Sequence, residues 1–147
     1  MPIFERILCP IDFDDNSMAA LRLAARLAER DRATLYLMHV IRVVEEATVA
    51  APTIFEQDEG TTQAELQKIV QNQLRGISHT LVMRYGNPAE QIIAAEGELA
   101  ADLVVMATHG RTGISHLFFG SVAERVVRES VCPVLTVRMG VPQPKQP

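Results

Sequence analysis

The sequence predicts an α/β fold, a single doubly wound sheet of five parallel strands in the order 3-2-1-4-5 with four helices on its two faces. Three observations point there. Short apolar runs alternate with segments of helical period, as βα units do. The connections between runs are themselves helical, which disfavours a hairpin-rich fold. The two strand ends with the most unusual chemistry, acidic after the first and glycine-rich after the fourth, serve one site only if strands one and four are neighbours. Right-handed crossovers then give the full order, whereas a 2-1-3-4-5 order brings "RYGNP" to the point where strand order reverses.

"RILCPID" (Arg6 to Asp12) reads as the first strand. Ser17 to Asp31 is the first helix, because Arg22, Arg26, Glu29 and Arg30 form one polar stripe and leave Ala and Leu for the sheet. "ATLYLMHVI" (Ala33 to Ile41) is a second buried strand, and Arg42 to Gly60, too polar and irregular for a core, reads as a long mobile connection. Thr62 with Glu65 has the pattern of a capping box ahead of Leu66, Ile69, Val70, Leu74 and Ile77, one apolar helical face. "HTLVMRYG" is the third strand. Asn87 as N-cap, Pro88 at the first helical position and Glu90 at the third open a helix through Leu99. "ADLVVMATHG" is the fourth strand, Ser121 with Glu124 reads as a capping box for a helix to about Val131, and "CPVLTVR" is the last strand. The domain is expected over residues 1–138, and the tail "MGVPQPKQP" (139–147), with three Pro and little apolar mass, is expected to be disordered.

A chain of 147 residues, 48% of them hydrophobic, is long enough to bury a core. Eighteen acidic against fourteen basic residues give a net charge of -4, the wrong sign for a surface that must neutralise nucleic-acid phosphates. Glu5, Arg6 and Asp12 interrupt the first apolar stretch, and no run reaches the ~18 apolar residues of a membrane span, so the expectation is a cytoplasmic protein without membrane attachment. Cys9 and Cys132 lack CxxC spacing and read as inert thiols in apolar segments.

"MATHGRTGISHLFFGS" (Met106 to Ser121) holds three glycines within eleven residues and no Lys. Gly110 and Gly113 allow backbone amides to turn toward a ligand, and Gly120 with Ser121 puts the free amides of a helix N-terminus at the far end of the same loop, which suits an anion. The same glycines serve equally well as turn formers, and spacing alone leaves both readings open. His39 and His79 lie in strands, away from Cys or acidic partners at metal spacing, and read as structural. His109 and His116 are loop residues, near phosphate or merely exposed. Asp14 and Asp15 suit either a water-mediated Mg2+ or the electrostatics of a helix N-terminus.

From Met1 to Arg138 the chain resembles the universal stress proteins, through "ILCPIDFDDNS", "ADLVVMATHGRTG" and "GSVAERVVRESVCPVLTVR". Nucleotide-binding members carry G-x2-G-x9-G-[ST]; here Ala107, Gly110, Gly120 and Ser121 keep every spacing, with Ala in place of the first Gly. A Gly matters at that place either for a left-handed backbone or for close approach of a ligand. The resemblance implies ATP or a related adenine nucleotide, with or without Mg2+. It places Pro10 and Asp12 on the base and ribose side and the backbone of Val40 against adenine. The phosphates fall to Gly110, Arg111, Gly113, Gly120, Ser121 and Val122, and Ala107 and Thr112 belong to the same binding site.

The expected function is a binding module, a homodimer joined through the last strand (Pro133 to Arg138) whose conformation or choice of protein partner depends on bound nucleotide. A slow ATPase or phosphotransferase using Asp12 or His109 is the enzymatic alternative; the loop lacks a Walker Lys and an evident general base. A member of the family that no longer binds nucleotide is a further one. A receiver domain needs an Asp after the third strand and a Lys after the fifth, where this chain has "MRYG" and "TVRMG". An adenylating enzyme is disfavoured because neither a HIGH tetrapeptide nor an SGGxDS loop is present.

Overall fold

A computed structural model describes residues 1–44, 54–55, 57–108 and 120–138. Its sheet contains β1 (Arg6–Pro10), β2 (Thr34–Ile41), β5 (His79–Tyr85), β6 (Leu103–Ala107) and β7 (Val134–Val137), all parallel, in the order β5-β2-β1-β6-β7. This is the expected order of the five sheet strands. Two short strands are additional: β3 (Val43–Val44) and β4 (Ile54–Phe55) pair antiparallel inside the stretch read as an irregular connection. Each has two residues, too short for its apolar pattern to register as a strand.

Alternation along the central strands sorts the core into two layers. Ile7, Cys9, Leu35, Leu37, Leu103 and Val105 pack with Ala20, Leu21, Ala24 and Ala28 of α1 (Asp15–Asp31) and Leu66 of α2 (Glu59–Gln73). Leu8, Met38, Val104 and Met106 face the other way, against Ile92 and Ala95 of α3 (Pro88–Glu98) and Ala123 and Val126 of α4 (Ser121–Glu129). The arginine stripe of α1 is exposed as its spacing predicts. Among the described residues no helix is long and apolar enough to cross a membrane.

Helix starts are where local reading fails. α1 begins two residues before Ser17, because Asp14 accepts from the Ser17 amide at 2.7 Å and caps it first. α2 is capped by Asp58, whose carboxylate accepts from the Thr61 amide at 2.8 Å; Thr62 is therefore internal and buried, its hydroxyl donating to the Asp58 carbonyl. Leu74 and Ile77 lie beyond the last turn of α2. α4 has Gly120 as N-cap and Ser121 as its first helical residue, and Glu124 pairs with Arg128 at 2.7 Å instead of closing a box. Asn87 and Pro88 open α3 as expected, with Asn87 accepting from the Glu90 amide at 3.1 Å. The tail from 139 lies outside the described residues.

Cys9 is buried, and burial pushes its thiol up to about 12. Cys132 is only half-buried, a departure from the expected interior thiol, because β7 is an edge; burial still pushes it up to about 11. Next to it, buried Glu96 ties α3 to the turn before β7, accepting from the Ser130 hydroxyl and from the amides of Val131 and Cys132, both at 2.8 Å. Burial pushes the Glu96 carboxyl up, but these donors outweigh it and the net shift is downward. A carboxyl lowered in the folded state contributes stability above its unfolded pKa and loses it as pH falls through the folded one. Glu96→Ala is therefore expected to cost about 2 to 4 kcal/mol in urea unfolding at neutral pH. The gap from wild type should narrow only below the ordinary glutamate range.

Candidate functional site

In an open parallel sheet, ligands sit beyond the carboxyl ends of the strands where strand order reverses. That point falls between β1 and β6, and a cleft of about 410 Å³ lies there. Its floor comes from the ends of β1, β2 and β6, through Pro10, Ile11, Asp12, Val40, Met106, Ala107 and Thr108. Pro88 and Ile92 of α3 close one wall. The first turn of α4, Gly120 to Ala123, closes another.

Seven residues singled out in the sequence thus meet around one space: Pro10, Asp12, Val40, Ala107, Gly120, Ser121 and Val122. Gly110, Arg111, Thr112 and Gly113, with His109 and His116, lie outside the described residues. A larger space of about 760 Å³ opens at the amino end of the sheet, lined by Met1, Ile3, Arg30 and Arg32 among others. It has neither a free helix N-terminus nor a switch point. The Asp31 carboxylate beside it is occupied by the Ile3 and Phe4 amides and by Arg30.

The four helices differ at their starts in a way that bears on the cleft. Asp14, Asp58 and Asn87 each satisfy a first-turn amide of α1, α2 and α3. Among the described residues no side chain caps α4, so the amides of Ser121, Val122 and Ala123 point along the helix axis without an intrahelical acceptor. Gly120 fixes this turn to the end of β6 by donating to the Thr108 carbonyl at 2.5 Å. Beside it the Thr108 hydroxyl is buried with no hydrogen-bond partner among the described residues. Free amides, a helix dipole and an unpartnered hydroxyl at one end of the cleft match an anion.

The opposite end is polar and acidic. The Asp12 amide donates to the Ser17 hydroxyl at 3.2 Å, and Ser17 donates to the Asp14 carbonyl at 3.1 Å, locking the turn that follows β1. Phe13 takes a φ of 66°, costly for a bulky residue, and its ring lies 4.6 Å from that of His39. One Asp14 oxygen is used as helix cap and the other is buried with no partner among the described residues; burial and the neighbouring Asp12 carboxyl push the group upward. Asp15 is exposed in the first turn of α1, and no cluster of metal-ligating side chains exists among the described residues. The helix-terminus reading of Asp14 is the one this geometry fits.

Several lining residues carried no sequence signal. Thr108 lies one residue past a strand that ends at Ala107, and Gln57 comes from the connection. Arg42, just beyond β2, is the one cation lining the cleft among the described residues. His39 is indeed a satisfied interior histidine, and it lines the cleft as well. His79 is an edge residue whose Nδ1 bonds the Ile77 carbonyl at 2.8 Å.

Comparison with known proteins agrees with this architecture. Residues 3–138 match the model of the universal stress protein family. Universal stress protein MJ0531 of Methanocaldococcus jannaschii is 31% identical, covering 92% of this chain and 83% of that protein. Universal stress protein YxiE of Bacillus subtilis is 30% identical, covering 92% and 100%. Among solved structures, UspA from Lactobacillus plantarum superposes with a TM-score of 0.76 at 23% identity, covering 91% and 97%. A universal stress protein in complex with cAMP gives 0.69 at 22% identity, covering 91% and 96%. The Archaeoglobus fulgidus protein in complex with dAMP gives 0.64 at 20%, covering 93% and 99%.

Proposed function

Since the chain belongs to the universal stress protein family, we propose that it is a stress-response module that binds an adenine nucleotide, ATP with or without Mg2+, in the cleft between β1 and β6. The observation that carries this is the first turn of α4, which faces the cleft beside the Thr108 hydroxyl, neither having a side-chain partner among the described residues. Phosphate at that end satisfies amides that in the other three helices are met by a side chain. Pro10, Asp12 and the Val40 backbone form the base and ribose end, in keeping with the adenine nucleotides held by the cAMP and dAMP complexes of related proteins. The glycine loop, Gly110 to Gly113, completes the phosphate side. The module acts in the cytoplasm as a homodimer through β7, as one domain over residues 1–138, and nucleotide occupancy sets what partner it meets.

Calorimetric titration with ATP, together with identification of any nucleotide released from the purified protein by acid, tests this reading. Absence of ATP affinity at millimolar ligand, and of any adenine nucleotide in the extract, overturns it and favours a member that has lost binding.

Binding without appreciable turnover is the expected behaviour. Phosphoryl transfer relies on metal and fixed cations around the transferred group and on a residue that orients the nucleophile. Among the described residues, Arg42 is the one cation of the cleft, and the carboxylate nearest the floor, Asp12, has no general-base partner positioned beside it. Phosphate release should stay below about one per second per site. Faster release that is lost in Asp12→Asn promotes the ATPase alternative.

A further inference from the structure

His39 is 4% exposed and makes two contacts that constrain each other. Its Nδ1 lies 2.7 Å from the Ile11 carbonyl, which only accepts, so Nδ1 carries a proton. Its Nε2 lies 2.6 Å from the Oε1 of Gln57. In a ring holding one proton, Nε2 is itself an acceptor, and two acceptors then face one another. Exchanging the two isosteric ends of the Gln57 carboxamide converts the contact into a hydrogen bond, NH2 donating to Nε2. The amide's other end has no partner among the described residues, and Gln57 lines the same cleft as Asp12 and Val40.

We propose that His39 fixes the Gln57 carboxamide with its oxygen toward the cleft, making Gln57 a specificity-determining acceptor for an exocyclic amino group on the bound base. This rests on the adenine-nucleotide reading above. His39 is the positioning residue: without a ring acceptor at Nε2, the amide is free to present either end. Adenine offers a 6-amino donor to such an oxygen, whereas hypoxanthine offers a 6-carbonyl, an acceptor that the oxygen repels. Ile11 extends the chain of constraint, since its carbonyl fixes the histidine tautomer and its own amide is held by the Met38 carbonyl at 2.8 Å. The Phe13 ring packed on His39 restricts the imidazole to this plane. The left-handed Phe13 backbone thus serves a wall of the cleft.

The test compares ATP with ITP by calorimetry at pH 8, on the full chain and on two variants of a half-buried rim residue. Wild type should bind ATP at least about tenfold more tightly than ITP. Gln57→Leu should bring the two affinities within about threefold, mainly by weakening ATP. Gln57→Glu, which offers an oxygen to the cleft whichever way it turns, should keep the preference although its charge weakens both ligands. Equal affinities in wild type, an undiminished preference in Gln57→Leu, or a lost preference in Gln57→Glu overturns the proposal while leaving nucleotide binding in place. Binding of neither nucleotide to wild type overturns this proposal and the functional reading together.

Discussion

Gly120→Val is expected to abolish measurable ATP binding while leaving the protein folded. Gly120 has φ -60° and ψ 155°, an extended backbone that valine adopts readily, and its amide bond to the Thr108 carbonyl does not depend on the side chain. The cost to the fold is the poorer N-cap, about 1 kcal/mol. The branched side chain is expected, however, to crowd the first turn of α4, where Gly120, Ser121 and Val122 line the cleft. Displacing phosphate from two such amides removes two charge-assisted hydrogen bonds, each contributing about 1.5 to 3 kcal/mol, so affinity should fall at least about hundredfold. Calorimetry with ATP reads the loss, and an unchanged circular dichroism spectrum and near-wild-type melting temperature exclude unfolding as its cause. Retained affinity in a folded variant would remove the α4 turn from the site. The companion change, Ala107→Gly, has a smaller expected effect. Ala107 ends β6 in extended conformation, paired with Val137, so alanine bears no left-handed strain there and glycine relieves only the bulk of one methyl at the cleft.

The strand order was legible because it follows from chemistry at strand ends: an acidic turn after Asp12 and a glycine-rich one after Ala107 belong together only if β1 and β6 adjoin. Of the seven anticipated residues that line the cleft, Gly120 and Ser121 were legible from the chemistry of a helix start, whereas Pro10, Asp12, Val40, Ala107 and Val122 entered through the family resemblance; all stand at or just beyond strand ends or at the start of α4. What stayed hidden depends on contacts distant in sequence. Gln57 reaches the cleft because His39, eighteen residues earlier, holds it there. Thr108 matters because its buried hydroxyl has no partner among the described residues, and no local pattern announces an unsatisfied atom. Helix starts failed for a different reason. Each of Ser17, Thr62 and Ser121 is a competent cap, but a residue just upstream, Asp14, Asp58 or Gly120, takes the N-cap position first.

Leu135→Lys is expected to convert a homodimer into a monomer of 16.2 kDa. Among the described residues β7 pairs with β6 on one side only, from Val104 opposite Val134 to Ala107 opposite Val137, and its other edge has no strand beside it. A bare edge of this kind, with apolar side chains and no internal Lys or Pro, invites another strand. Pro133 cannot donate to a ladder but precedes the strand, so the omission costs nothing. Three of the six large hydrophobics most exposed among the described residues are Leu135 on the strand (38%), Val131 in the turn before it (91%) and Val127 on α4 (46%). A two-fold copy supplies the same edge reversed, and antiparallel pairing is self-complementary. Leu135 sits near the middle of the four-residue strand, so lysine there sets one charged side chain from each copy among the apolar groups that pairing would bury. The cleft is lined by other residues of the same chain, and ATP affinity should stay within about threefold of wild type. Sedimentation equilibrium at tens of micromolar, with and without ATP, decides the matter: a wild type of single-chain mass in both conditions removes the edge-strand dimer, whereas a wild-type dimer that Leu135→Lys dissociates places the interface on β7.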